Sequence, residues 1–246
     1  MTAPVFVVEH FDAGGGGRYV LDGPEGRHAV SVKRLRAGED VVLTDGAGRW
    51  ADCVVLDTEG KDRLILRLDS VHEESPEQPR VTVVQALPKG DRGELAVETM
   101  TEVGVDVIVP WAAARCITQW KGERGAKALG KWRATAREAG KQSRRVRFPE
   151  VADAATTKQV ASLLAGAEFA AVLHESGDAP LATAELPSTG EIVLVVGPEG
   201  GVAPEELALF EEAGAAAYRL GRSVLRTSTA GTAAAAVLLA RTGRWS

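Results

Sequence analysis

Short apolar runs separated by turn signals dominate the first seventy residues. PVFVVEHF, VVLTDGAGRWADCVVL and DRLILRLDSV all fall within residues 3–72. The DGAG between two of these runs has hairpin composition, because Asp and Gly accept the backbone angles that a tight strand reversal demands. This pattern predicts an all-β unit, a small β-barrel, over residues 1–72. The glycine run at 14–17 reads as a flexible loop. The polar stretch HEESPEQP at 72–79 carries two prolines and predicts a linker over 73–79.

From residue 80 the pattern changes. VTVVQAL at 81–87 is a continuous apolar run of the buried-strand type, and DRGELAVETMTEVG at 91–104 has helical spacing and closes on a glycine. VDVIVPW, AEFAAVLHE, EIVLVVG and AYRL are further strand candidates, and GAKALGKWRATAREAGKQSRR is a basic helix. Strands alternating with helices predict a parallel sheet with helices on both faces, so residues 80–246 form an α/β domain.

Composition narrows the class. Hydrophobic residues at 45 % and charged residues at 26 % suit a folded globular chain and argue against disorder. No run approaches the roughly 18 apolar residues of a membrane span, and the N-terminus lacks the basic-then-apolar pattern of a secretory leader, so a cytoplasmic location without membrane attachment is expected. Cys53 and Cys116 form no CxxC pattern, so they are expected to be reduced and structural, and no metal site is predicted.

The net charge of -5 alone would discourage a nucleic-acid partner. Placement matters more than the total: residues 115–147 hold 11 basic against 2 acidic side chains, within otherwise acidic surroundings. Such a segment is what a phosphate-facing surface requires, although a solvated helix face has the same composition.

The stretch VVGPEGGVAPEE at 195–206 leaves the carboxyl end of a buried strand, where open α/β sheets hold their ligands. Its glycines let a ligand approach the backbone, whereas Glu199, Glu205 and Glu206 disfavour a phosphate. The loop fits neither GxxxxGK[ST] nor GxGxxG, so a neutral or cationic ligand is expected. Two other strand candidates end in LHE (173–175) and LGRSVLRTSTA (220–230), and the latter leads into a helix rich in Ala and Gly that should pack with its backbone close to a neighbour. Three such strand ends are far more specific than one.

With these motifs, and with HAVSVKRLRAGE, QALPKGDRGELAVETMTEVGVDVIVP and EAGKQSRRVRFP, the sequence resembles the RsmE family of 16S ribosomal RNA (uracil-N3) methyltransferases, within the SPOUT superfamily, over nearly its whole length. The resemblance implies a PUA-like N-terminal β-barrel that helps hold RNA, and a C-terminal SPOUT domain with a trefoil knot that binds S-adenosyl-L-methionine. It also implies a homodimer and a target in 16S rRNA of the 30S ribosomal subunit, the decoding-region uridine labelled U1498. The backbone around Leu173, Gly197, Gly201, Leu220, Gly221 and Leu225 is expected to enclose the cofactor, with Pro198, Glu199, Gly200, Val224 and Thr229 completing the set.

Methylation at N3 requires that a ring proton leave. Glu175 and His174 are the candidates to accept it, although they read equally well as a surface acid and a satisfied histidine. Arg226 is placed to stabilise a uracil anion or to pair with Glu199. For RNA, the expected phosphate contacts are Lys33, Arg34 and Arg36 on the barrel, and Arg115, Arg133, Arg137, Lys141, Arg144 and Arg145 on the α/β domain. Lys89 could join them or be an ordinary loop lysine.

Two positions depart from the family pattern. The first β run lacks the arginine often found in the family, so an RNA contact there is expected only if Arg18 replaces it, and Ala203 stands where a helix-capping side chain is usual. The rival readings are a knotted methyltransferase with another RNA target and a ribosome-assembly factor that binds RNA without methyl transfer.

Overall fold

In the computed structural model, residues 3–11 and 16–245 are described. Gly14 and Gly15 of the glycine run lie outside them. The chain divides into two units, residues 1–76 with 140–148, and residues 77–139 with 149–246.

In the first unit, strands β1 (Val5–Val7), β2 (Arg18–Leu21), β3 (Asp40–Thr44), β4 (Arg49–Glu59) and β5 (Arg63–Glu73) pair in the order β1-β3-β4-β5-β2. The β1–β3 pair is parallel and the rest are antiparallel. Alternation decides which face is buried: Ala51, Cys53 and Val55 on β4 and Leu64, Leu66 and Leu68 on β5 enter one core with Phe6 and Leu43. The DGAG turn forms as expected. The Asp45 carboxylate accepts the amides of Ala47 (2.7 Å) and Arg49 (3.1 Å), and Gly46 and Gly48 both have positive φ.

The sheet is curled but open, a half-barrel, since β1 and β2 do not pair with each other among the described residues. The unit is also not all-β. Residues Gly23–Arg27 form helix α1, with Pro24 in the first turn where its missing N–H is harmless, and the chain continues through a wide π-type turn at His28–Val32. Ala29 of this segment is fully buried in the barrel core.

The division of the chain differs from the expected 1–72, 73–79 and 80–246. Strand β5 runs on to Glu73, inside the polar stretch read as a linker. Residues 140–148 belong with the half-barrel: Phe148 N–H donates to the Gly46 carbonyl (2.8 Å), Gly48 N–H donates to the Val146 carbonyl (3.1 Å), and a Cβ on Gly46 would lie 2.9 Å from the Phe148 ring. Lys141, Arg144 and Arg145, expected on the α/β domain, are therefore in the first unit. Long-range contacts of this kind leave no local mark in a sequence.

The second unit is built on seven parallel strands, β6 (Arg80–Ala86), β7 (Val107–Trp111), β8 (Glu150–Val151), β9 (Phe169–Leu173), β10 (Ala179–Pro180), β11 (Glu191–Val196) and β12 (Ala216–Arg219), in the order β10-β12-β9-β11-β6-β7-β8. Helices α2 (Arg92–Val103), α3 (Gly122–Gln142, whose last three residues group with the half-barrel), α4 (Thr157–Ala165), α5 (Pro204–Glu212) and α6 (Thr227–Arg241) complete it. The continuous apolar runs are explained by burial on both faces. Val81 and Val83 of β6 and Ile192 and Leu194 of β11 join Met100 of α2 and Leu238 of α6 in one core. Val84, Ala86, Val193 and Val195 face the other way, with Val160 and Leu164 of α4 and Phe210 of α5.

The small residues of α6 allow the close packing that their composition predicts. A Cβ on Gly231 would lie 2.9 Å from the Met100 sulfur, and Thr232 and Thr99 join the two helices through hydroxyls 2.6 Å apart. Helix α2 ends as expected at Gly104, whose φ of 108° suits glycine. Among the described residues, no helix is long and apolar enough to cross a membrane.

Candidate functional site

Parallel strands end on the same side of a sheet, so the three strand-end motifs converge once β12, β9 and β11 are neighbours. They line a cleft of about 1040 Å³ in the second unit. Its glycine loop is held by backbone geometry. Gly201 has a φ of 72° and donates its N–H to the Pro198 carbonyl (2.9 Å). A Cβ on Gly197 would lie 2.8 Å from Val202 Cγ2, and one on Gly200 would lie 3.3 Å from Arg115 Cβ. The loop is also tied to other segments: Arg115 Nη1 donates to the Gly200 carbonyl (3.0 Å), Glu199 accepts the Lys89 amide (3.1 Å), and Thr227 Oγ1 donates to the Gly197 carbonyl (3.0 Å).

Ala203 does precede α5 without a side-chain cap, but the buried Glu206 compensates. Its Oε2 accepts the Ala203 amide (3.2 Å), while its Oε1 accepts the Ala114 amide (2.8 Å) and the Thr157 hydroxyl (2.9 Å). One carboxylate thus joins the start of α5 to the segments after β7 and at the start of α4. Burial pushes the Cys116 thiol up, with Glu206 and Glu199 adding to the effect, so this half-buried cysteine stays protonated near neutral pH.

Immediately after β9, the His174 amide donates to the Tyr218 carbonyl (3.0 Å), and its half-buried imidazole lies with Nδ1 2.7 Å from Ser176 Oγ. Glu175 is exposed. Arg219 steadies the following loop by donating to the carbonyls of Gly177 (2.8 Å) and Asp178 (3.0 Å). The chain at 221–225 makes no backbone hydrogen bond among the described residues, yet it exposes Val224 and Leu225, at 78 % and 40 %. Exposed apolar side chains beside free backbone donors and acceptors in a concave wall suit a flat heterocycle with a hydrogen-bonding edge.

Of the residues expected around a cofactor, Leu173, the loop from Gly197 to Gly201, Leu220, Gly221, Val224 and Leu225 all line this cleft. Thr229 does not. It is exposed and donates to the Arg226 carbonyl of its own helix turn (3.2 Å), and the inward threonine is Thr227, two residues earlier. His174, Glu175 and Arg226 line the cleft as well, and Arg226 forms no ion pair with Glu199 among the described residues.

The expected RNA contacts scatter more widely. Lys89 and Arg115 line the cleft, while Lys33, Arg34, Arg36 and Arg144 are exposed on the first unit. Arg137 is exposed on α3, and Arg145 is half-buried in the first unit. Arg133 is held by Asp153 (2.9 Å) and the Val151 carbonyl (3.0 Å), and Arg18, the suggested replacement arginine, lies 3.8 Å from Glu59. The phosphate contact expected at Lys141 is overturned, because its ammonium is buried against the Glu25 carboxylate at 2.8 Å.

The sequence reading missed Arg92, Ile117, Arg219, Arg222 and Thr227. Arg222 was legible inside LGRSVLRTSTA. Arg92 opens α2 inside the quoted DRGELAVETM stretch, whereas Ile117 comes from a segment remote in sequence and carried no signal.

Comparison with known proteins bears on the same residues. Residues 75–239 match a family model described as an RNA methyltransferase domain, and residues 21–69 match one described as an RNA methyltransferase PUA domain. The chain is 46 % identical over 230 residues to the ribosomal RNA small subunit methyltransferase E of Mycobacterium bovis, covering 92 % of this chain and 87 % of that protein. It is 29 % identical over 220 residues to the Bacillus subtilis protein of the same name, covering 86 % of each. Among solved structures, a ribosomal RNA small subunit methyltransferase E from Neisseria gonorrhoeae bound to S-adenosyl methionine superposes with a TM-score of 0.84 at 28 % identity over 98 % of both chains.

Proposed function

Because this chain belongs to the ribosomal RNA small subunit methyltransferase E family, we propose that it methylates N3 of a uracil, the decoding-region uridine U1498, in 16S ribosomal RNA of the 30S subunit. It is an RNA methyltransferase that uses S-adenosylmethionine. One observation carries the reading: three neighbouring strand ends close on a single cleft with free backbone groups and exposed apolar side chains.

The residues present suit this cofactor. A cleft of about 1040 Å³ leaves room for a nucleobase beside a ligand of this size. Leu173, Leu220 and Leu225 offer apolar contacts to adenine, and the free backbone groups at 221–225 offer hydrogen bonds to its edge. When bound, the cofactor supplies an electrophilic methyl group on a sulfonium.

The remaining work falls to the chain. Glu175 and His174, just after β9, accept the N3–H of the incoming uracil and orient its imide edge, and Arg226, in the same cleft, balances negative charge growing on a uracil oxygen. The rigid glycine loop fixes the cofactor side of the encounter, so alignment itself contributes much of the rate. By resemblance to the family, the C-terminal unit is knotted and pairs with a second copy to give a homodimer in the cytoplasm.

Mapping the product tests the proposal. The protein is incubated with methyl-labelled cofactor and 30S particles from cells lacking the enzyme, and the RNA is digested and sequenced by mass spectrometry. Label on N3 of the decoding-region uridine is expected. Label on a uracil carbon or a ribose hydroxyl overturns it.

A further inference from the structure

The cleft walls carry a charge pattern that the glycine loop alone does not suggest. Six cationic side chains, Lys89, Arg92, Arg115, Arg219, Arg222 and Arg226, line it against two carboxylates, Glu175 and Glu199. Arg115 and Arg219 are committed to backbone carbonyls. The side chains of Lys89, Arg92, Arg222 and Arg226 have no hydrogen bond or ion pair among the described residues.

These four are arranged in two groups. Lys89 and Arg92 follow β6, while Arg222 and Arg226 follow β12, and β9 and β11 lie between those strands. Three interstrand steps separate the ends of β6 and β12 themselves by roughly 14 Å. All four line the same cleft, whose volume of about 1040 Å³ has room for one nucleotide. A concave site concentrates the field of such cations and attracts anions.

We propose that Lys89 and Arg92 on the β6 side, and Arg222 on the β12 side, grip the phosphodiester groups on the two sides of the target nucleotide, while Arg226 is left to the base. The cleft therefore receives a nucleotide turned out of its strand, with its phosphates, and not a base alone. A second consequence rests on the assignment of this cleft to S-adenosylmethionine. That cofactor carries a net positive charge, so the same three cations oppose it until phosphates arrive, and substrate and cofactor bind with positive coupling.

Calorimetry on the full-length protein tests both parts, with uridine 3′,5′-bisphosphate as the probe and plain uridine as the control. Titrated alone, the bisphosphate is expected to bind more tightly than uridine, with an advantage that shrinks at high salt and falls severalfold in the double variant R92A/R222A. At saturation it is expected to raise cofactor affinity roughly tenfold, a typical size for coupling between two sites. The R92K/R222K variant, which keeps the charge, is expected to restore most of both effects, and unchanged circular dichroism confirms folding in each case.

Equal binding of uridine and its bisphosphate, or a bisphosphate effect undiminished in R92A/R222A, overturns the grip. Absence of cofactor heat in every arm, with bisphosphate binding intact, instead refutes the cofactor assignment and leaves the grip standing.

Discussion

Two arginines of the first unit occupy backbone conformations that favour glycine, and replacing them separates stability from RNA binding. Arg34 has a φ of 56° and Arg144 a φ of 61°. Each closes a helical segment. Leu35 N–H reaches the Ala29 carbonyl (3.1 Å) around Arg34, while Arg145 N–H to the Gly140 carbonyl (2.9 Å) and Arg144 N–H to the Lys141 carbonyl (3.2 Å) form the paired bonds of a left-handed helix stop. Both side chains are exposed and make no hydrogen bond or ion pair among the described residues. The left-handed conformation costs an L-residue roughly 1–2 kcal/mol, and glycine returns about 0.4–1 kcal/mol of that through its freer unfolded chain. The net gain expected from Arg→Gly is about 0.5 kcal/mol per site, or about 1 kcal/mol for R34G/R144G, which raises Tm by roughly 2–4 °C in a chain of this size. If the guanidiniums bind phosphates, affinity for a 16S RNA fragment falls in the same variant. The slope of log affinity against log salt then becomes shallower by about 0.7–0.9 for each phosphate that no longer meets an arginine. Urea and thermal unfolding give the first quantity, and filter binding at several salt concentrations gives the second. A lower Tm would mean that the arginines pack structurally, and unchanged RNA affinity with an unchanged salt slope would remove them from the RNA surface.

Other expectations follow from single buried groups. Glu206→Gln places an amide N–H against one of the three donors that the carboxylate now accepts, so a loss of about 2–3 kcal/mol in urea unfolding is expected; a change below about 0.5 kcal/mol would refute the role given to it. Burial pushes the Cys53 thiol up to about 12, whereas in an unfolded chain it ionises near pH 8.5. Below about pH 8.5 the thiol is protonated in both states and adds no pH dependence. Between there and about pH 12 the unfolded chain releases the proton and the folded one keeps it, so stability falls by at most about 1.4 kcal/mol per pH unit. C53A should flatten that alkaline decline in urea midpoints, and identical slopes for the two proteins would contradict it.

Much of the molecule was legible in one dimension because its signals are periodic or local. Short apolar runs between turn signals announced the strands of the first unit, and the unbroken apolar runs of β6 and β11 announced strands buried on both faces. The GPEGG turn announced a backbone-lined ligand loop, since Gly197 and Gly201 satisfy steric and torsional demands set within a few residues. The features it left open involve pairs remote along the chain. Lys141 reads as a phosphate contact until Glu25 is found 116 residues away, and Thr229 reads as well as Thr227 until the helix start fixes which one turns inward. Residues 140–148 return to the half-barrel through bonds to the DGAG turn, and Arg92 and Arg222 line one cleft only because β6 and β12 share a sheet. Local torsion and hydrophobic period are properties of neighbouring residues, so the sequence by itself determined most of the strands and helices and the glycine turn, though not α1. Charge pairing and the walls of the cleft depend on which distant segments are brought together, and only the tertiary structure decided that.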